Sequence, residues 1–325
     1  MSSILITGVT GMVGSTLADK LIEDNLVYGL KRRTSTENHE NIQHLIGNPK
    51  FILLEGDTTD PVYINRIVDD FQFDKIFHCA AQSYVKASFD QPKYTLETIV
   101  NSTLYFLEAI RRCSPNTQFL HLSSSEMFGK NYTEDNSGNR FQDENTTYMP
   151  QSPYGVAKMA AHHLVRIYRE AYKLYVCSSI CFNMEGPRRG REFITKKIAN
   201  YVGRGDFSKP LELGNLDSVR DWNYVGDSCD AMIAMLKQDY APKDLVIGSG
   251  TAHTIAEFLQ EAFACVGIKD WQKYVVSTPS NYRPLDVVFL KANPSLARQT
   301  IHYHPKTTFK ELVQMMVKAC QKNTQ

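Results

Sequence analysis

Through the first half of the chain, short apolar runs rich in β-branched residues alternate with stretches of helical period. Ile4–Thr7 precedes a helix expected over Val13–Glu23, and Val27–Leu30 is the next strand. Phe51–Leu54 is followed by a helix over Tyr63–Phe71, and Lys75–His78 by a long helix near Tyr94–Arg112. Phe119–Leu122 and Val176–Phe182 bracket a further helix, roughly Tyr154–Tyr172. Strands separated by helices are joined by crossovers rather than hairpins, so they run parallel and both sheet faces are covered. The expected class is α/β with a doubly wound parallel sheet.

Gly8-Val-Thr-Gly11-Met-Val-Gly14 stands directly after the first strand and opens the first helix. Gly8 suits a tight turn, Gly11 a close backbone approach to pyrophosphate, and Gly14 close helix–strand contact. Free N–H groups and the helix dipole favour an anion there. The sheet is therefore expected to be Rossmann-like and to bind a dinucleotide. At the end of the second strand, where an acid commonly meets the adenosine ribose, stand Lys31, Arg32, Arg33, Thr34 and Ser35. Cations and hydroxyls suit a 2′-phosphate, which favours NADP over NAD. A solvated basic turn is the competing reading. Asp57, after the third strand, is placed to meet the adenine amino group.

Tyr154-Gly-Val-Ala-Lys158 puts a phenol and an ammonium on one helix face. Of 17 tyrosines, Tyr154 is the only one followed four residues later by Lys. Ser152 can cap this helix and Pro153 suits its first position. The lysine and the positive helix end are expected to lower the phenol's pKa toward use as a base. Ser123-Ser124-Ser125-Glu126 follows the strand Phe119–Leu122, at the carboxyl edge where doubly wound sheets bind ligands. A serine there can bond a substrate hydroxyl, and Glu126 adds a second base. Local caps and turns are the structural alternative.

Glycine spacing, Ser–Tyr–x3–Lys and length together resemble the extended short-chain dehydrogenase/reductases. The closer similarity is to the GDP-mannose 4,6-dehydratase family. It is carried by Ile6–Gly14, Arg32–Ser35, Ala80–Lys86, Ser88–Pro92, Ser123–Gly129 and Ser152–Tyr154. It continues through Phe182-Asn183, Pro187–Gly190, Gly214–Asp217, Arg220–Trp222 and Tyr282–Pro284.

The resemblance implies a dehydration by internal hydride relay through NADP. Tyr154 takes the 4-hydroxyl proton, Lys158 holds the nicotinamide ribose, Ser124 bonds the same hydroxyl, and Glu126 removes the C5 proton. It implies cofactor contacts from Gly8, Thr10, Gly11, Met12, Val13, Gly14, Arg32, Arg33, Ser35, Asp57 and Thr58. Cys79, Ala80, Ala81, Gln82, Ser83, Tyr94, Lys158 and Arg189 complete that set. Substrate contacts fall on Ser83, Ser124, Glu126, Tyr154, Asn183, Lys197, Arg220, Arg283 and Asp286, the cations matching a diphosphate. Met184 stands where these dehydratases carry His, and Asp286 where they carry Glu. Ser124 is shared with dehydratases of GDP-manno-heptose and with reductases of GDP-4-keto-6-deoxymannose, so these remain alternatives. An epimerase of the same fold and a non-catalytic nucleotide sensor complete the competing readings.

Residues 1–183 are expected to form the NADP-binding domain, with a return segment around 217–250; 184–216 and 251–325 form a smaller sugar-nucleotide-binding domain. The polar stretch Lys130–Gln151 has no period and is long for a loop, which predicts a flexible or functional excursion. The chain has 325 residues, 42% hydrophobic and 22% charged, enough for a sizeable core. Its 36 basic and 35 acidic residues argue against a nucleic-acid or membrane-surface partner. Seven scattered cysteines and no basic segment followed by a cleavable apolar one point to reduced thiols in the cytoplasm. His162-His163 and His302-x-His304 lack an accompanying carboxylate or thiol set, so no metal is expected. The partner expected is a GDP-sugar, and a homo-oligomer, dimer or tetramer, is anticipated.

Overall fold

The apolar runs pair side by side in one parallel sheet. The computed structural model describes residues 1–278, 281–282 and 284–321. The sheet strands are β1 (Ser3–Thr7), β2 (Leu26–Lys31), β3 (Phe51–Glu55), β4 (Lys75–His78), β5 (Gln118–Ser124), β6 (Val176–Cys181) and β7 (Leu245–Ile247). Their order is β7-β6-β5-β4-β1-β2-β3, every pairing parallel. The doubly wound Rossmann-like expectation holds. Successive side chains of β1 go to opposite faces, as strand geometry requires. Ile4 and Ile6 pack with Leu17 and Phe77, whereas Leu5 packs with Ile64, Phe106 and Phe119.

The chain leaves β3 at one edge and re-enters at β4 on the other side of β1. That reversal opens a crevice at the carboxyl ends of β1 and β4, where ligands of such sheets sit. A second core gathers Ile198, Trp222, Phe258, Leu259, Leu312 and Met316. It is built by helices Ile194–Arg204, Ile255–Ala264 and Phe309–Gln321. Among the described residues, no helix is long and apolar enough to cross a membrane.

One local expectation is narrowed and two are corrected. Within 217–250, only Leu245–Ile247 joins the main sheet; Trp222–Tyr224 instead pairs with Asn183–Glu185, and Val219–Arg220 with His253–Thr254. β5 runs on to Ser124, so Ser123 and Ser124 belong to the strand rather than to the turn after it. The Lys130–Gln151 excursion is knitted into the body. It carries a small hairpin, Thr133–Glu134 against Arg140–Phe141. Gln142, fully buried, donates to the carbonyls of Asn131 (3.0 Å) and Phe289 (3.3 Å) and accepts from the Lys291 N–H (2.9 Å). Glu144 accepts from Val246 N–H at 2.7 Å, covering the edge strand β7.

Candidate active site

The first wall of the crevice is made by glycines that admit no side chain. Gly8 has φ +66, and a Cβ there would lie 3.1 Å from the Ala80 Cα. A Cβ on Gly14 would lie 2.5 Å from the Gly8 carbonyl oxygen, so helix Met12–Leu21 presses directly on the turn after β1. Gly11 precedes that helix and no side chain caps it, leaving its first N–H groups directed at the crevice. The Thr7 hydroxyl accepts from the N–H groups of Cys79 and Ala80, each at 3.0 Å, fixing the β4 exit against the β1 exit. Gly8, Thr10, Gly11, Met12, Val13, Gly14, Cys79, Ala80, Ala81 and Ser83 all line one cleft of about 500 Å³. A glycine turn packed tightly on its own backbone, facing an uncapped helix start, fits a dinucleotide pyrophosphate.

The second wall carries the acid–base groups. Ser152 Oγ accepts from Gly155 N–H at 3.0 Å, and Pro153 occupies the first turn of helix Pro153–Tyr172. This capping sets Tyr154 and Lys158 in the first turns, facing the end of β5. Ser124, Glu126, Tyr154 and Lys158 all line the cleft, each under a tenth exposed. Ser124 lies near enough to the Tyr154 phenol to oppose the rise in its pKa, and Ser124 Oγ accepts from Glu126 N–H at 3.3 Å. Lys158 Nζ donates to the Leu122 carbonyl and lies 5.9 Å from the Tyr154 ring centroid.

Burial governs the acidities here. It pushes the Tyr154 phenol up to about 12, against the opposing pull of Ser124, with the Glu126 charge adding to the rise. It pushes the Lys158 ammonium down to about 8. The expectation of a phenol already shifted toward neutrality is therefore corrected. In a buried wall, desolvation of phenolate outweighs Ser124 and the Arg189 charge, and Lys158 is engaged by the Leu122 carbonyl.

Asn183, Lys197, Arg220 and Asp286 line the far side of the same cleft. Arg220 Nη2 stands 3.5 Å from Asp286 Oδ1. Arg189 also lines it, its Nε 3.1 Å from Glu185 Oε2 and its guanidinium 3.4 Å over the Phe193 ring. That ion pair is close but misaligned for a hydrogen bond at Nε. Arg283 lies outside the described residues.

Other assigned residues stand outside the cleft lining. Arg32 Nη1 donates to the Tyr94 hydroxyl, the two forming an exposed pair. Arg33 and Ser35 are exposed. Asp57 Oδ1 accepts from the Thr59 N–H (2.9 Å) and hydroxyl (2.8 Å), and Thr58 is buried beside it. Gln82 shapes the turn between the lining residues Ala81 and Ser83: its amide donates to Tyr84 O and Thr95 Oγ1 and accepts from Tyr84 N–H. Conversely, Tyr84, Asn215 and Tyr282, inside stretches that carry the family resemblance but given no role there, line the cleft, as does Phe193, which lies in none of them. Tyr84 and Phe193 meet edge-to-face at 5.8 Å. They come from segments far apart in sequence, and no local spacing joins them.

A family profile described as GDP-mannose 4,6 dehydratase matches residues 5–316. A Caenorhabditis elegans protein named GDP-mannose 4,6 dehydratase 2 is 39% identical, over 96% of this chain and 87% of that one. A Vibrio cholerae GDP-mannose 4,6-dehydratase is 36% identical, over 96% and 92%. Among solved structures, dTDP-glucose 4,6-dehydratase from Bacillus anthracis, in complex with NAD, superposes with TM-score 0.85 at 23% identity, covering 99% of this chain and 97% of that one. At that identity the likeness concerns fold. UDP-glucose 4-epimerase from Thermotoga maritima, with UDP-glucose, gives TM-score 0.84 at 25% identity, covering 99% and 100%. With its glycine cradle, Ser124, Glu126, Tyr154 and Lys158 gathered in one cleft and the profile spanning nearly its whole length, this chain belongs to the GDP-mannose 4,6-dehydratase family.

Proposed function

We propose that the chain removes water from GDP-mannose to give GDP-4-keto-6-deoxymannose, as a lyase that keeps NADP bound through the cycle. The observation that carries this reading is Glu126. It is buried in the cleft wall one residue beyond the Ser124–Ser125 pair, close enough to raise the Tyr154 phenol's pKa by its charge. A reductase or epimerase would use Tyr154 and Lys158 without needing a second base.

When bound, the nicotinamide supplies the site that accepts hydride from the sugar C4 and returns it at C6. Tyr154 and Ser124 hold the 4-hydroxyl between them, and Tyr154, reacting in its phenolate form, receives the hydroxyl's proton. Lys158 keeps a positive charge under that pair, so proton removal costs less as the sugar closes the cleft. Glu126 takes the proton from C5, which the adjacent 4-keto group has made acidic. It then delivers a proton to the departing 6-hydroxyl. Arg220 and Lys197 face the diphosphate, and Asn183 a sugar or phosphate oxygen.

Support for NADP comes from Arg32 and Arg33, cationic at the carboxyl end of β2, the edge at which an adenosine ribose lies. Arg32 is held by the Tyr94 hydroxyl, which orders its guanidinium there. The reducing cytoplasm suits the seven free thiols. The purified protein, incubated with GDP-mannose and no added cofactor, should yield a product one water lighter by mass spectrometry. An unchanged mass with every GDP-sugar offered would overturn the reading.

A further inference from the structure

Asp221 is completely buried, yet its carboxylate touches no substrate wall. Its Oδ1 accepts from the Ser249 N–H (2.8 Å) and hydroxyl (2.7 Å). Its Oδ2 accepts from the N–H groups of Gly250 (2.9 Å) and Ala292 (3.1 Å). The same residue's carbonyl accepts from Asn183 N–H at 3.1 Å. One residue therefore joins the strand bearing Arg220, the exit of β7, the stretch leading back from Ala292 to Asp286, and the start of Asn183–Glu185. The fit around the carboxylate is tight. A Cβ on Gly248 would lie 2.5 Å from Ala292 Cβ and 3.1 Å from Asp221 Oδ2. The neighbouring strand is tied too: Val219 N–H donates to Val288 O at 2.8 Å, and Leu290 N–H to Val219 O at 3.1 Å.

We infer that Asp221 is a positioning residue for sugar-nucleotide binding: its carboxylate sets Arg220 and Asp286, and through the backbone it anchors also Asn183, in register on the wall opposite the glycine cradle. This rests on the proposed GDP-sugar reading of the cleft. A carboxylate with four protein donors can hold them only as an acceptor at every lone pair. An amide in its place offers one accepting oxygen and presents two N–H donors to N–H groups. The buried donors left unpaired then pull Ser249–Gly250 or Ala292 away, and the walls carrying Arg220 and Asp286 separate. The cofactor cradle, built on β1 and β4, shares none of these bonds. The effect should therefore fall on one ligand.

Asp221→Asn should raise the KM for GDP-mannose by about tenfold to a hundredfold and leave kcat within about threefold. NADP affinity, read by quenching of intrinsic fluorescence, should be unchanged. Ser249→Ala, which removes one donor to the carboxylate together with the hydroxyl that accepts from the Thr251 N–H, should give a smaller KM rise in the same direction and keeps the test open if Asp221→Asn folds poorly. Binding of GDP itself, followed by calorimetry, separates this inference from the proposed reaction. If the unmodified protein binds GDP but does not dehydrate GDP-mannose, the reaction fails, and the positioning role is then judged by whether Asp221→Asn weakens GDP. An Asp221→Asn protein that binds GDP as tightly as the unmodified chain would overturn the inference. So would a Ser249→Ala protein that loses NADP affinity and kcat together, since that is general loosening of the fold.

Discussion

Gly155 packs against Glu126: a Cβ at position 155 would stand 2.8 Å from the Glu126 carbonyl oxygen. The first turn of the helix bearing Tyr154 is thus pressed onto the turn bearing Glu126. Two bases from different elements share one wall because a glycine lets their backbones come this close.

The two bases should fail differently. Tyr154→Phe should abolish reduction of the bound nicotinamide when GDP-mannose is added, slowing it by about 10²–10⁴-fold. Glu126→Gln should still permit that reduction, so near-ultraviolet absorbance rises and persists without loss of water. A Glu126→Gln protein that dehydrates at the unmodified rate would remove this carboxylate from the chemistry.

Lys158 sets a pH dependence. Its folded pKa, near 8, lies below the value of about 10.4 for a lysine in an unfolded chain. The unfolded state therefore binds more protons between those values, and stability should rise as pH climbs through that window. Below about pH 8 the buried charge carries its full cost. Lys158→Met should raise the unfolding midpoint at pH 7, by about 1–3 kcal/mol in stability, and flatten the rise above pH 8. Its dehydratase activity should be lost. Equal midpoints at pH 7 for the two proteins would contradict this.

Replacing Arg32 and Arg33 together by Gln should erase a preference for NADP over NAD, at about tenfold or more per cation. Titration of both nucleotides into the nucleotide-depleted protein checks it. Equal affinities in the unmodified chain would refute the assignment.

Gly129 tests the ordering of the Lys130–Gln151 excursion. Its φ is +58, and a Cβ there would overlap the Met149 carbonyl oxygen at 1.8 Å. Gly129→Ala should cost about 2–4 kcal/mol and open the excursion to trypsin at Lys130 and Arg140. Gly138→Ala, at φ +78 with open space around it, should cost only about 1–2 kcal/mol and leave cleavage unchanged.

The legible part of the fold was the part built from local pattern. Strands β1 to β6 are apolar runs because both sheet faces are covered, and the Ser152–Pro153 cap announces its helix. β7 is only Leu245–Ile247, too short to show a period, and it earns its place by pairing with β6. Tyr154, Lys158, Ser124 and Glu126 were readable because each sits at a fixed offset from a cap or strand end. The order of the excursion was not, since Gln142 Nε2 reaches a carbonyl 147 positions away. Nor was the acidity of Tyr154, where burial by distant segments outweighs Ser124 and the Arg189 charge. Asp221 lay inside a quoted stretch, but its donors Ser249, Gly250 and Ala292 carry no signal until the chain is folded.

The internal relay is tested most directly with GDP-mannose carrying deuterium at C4 of the sugar. Incubated with the protein as purified, and with unlabelled NADPH present in solution, it should give a product one water lighter with the deuterium at C6. C5 should carry a proton from solvent. Deuterium appearing in free nicotinamide or in water, or a product that has kept its oxygen, would contradict the relay.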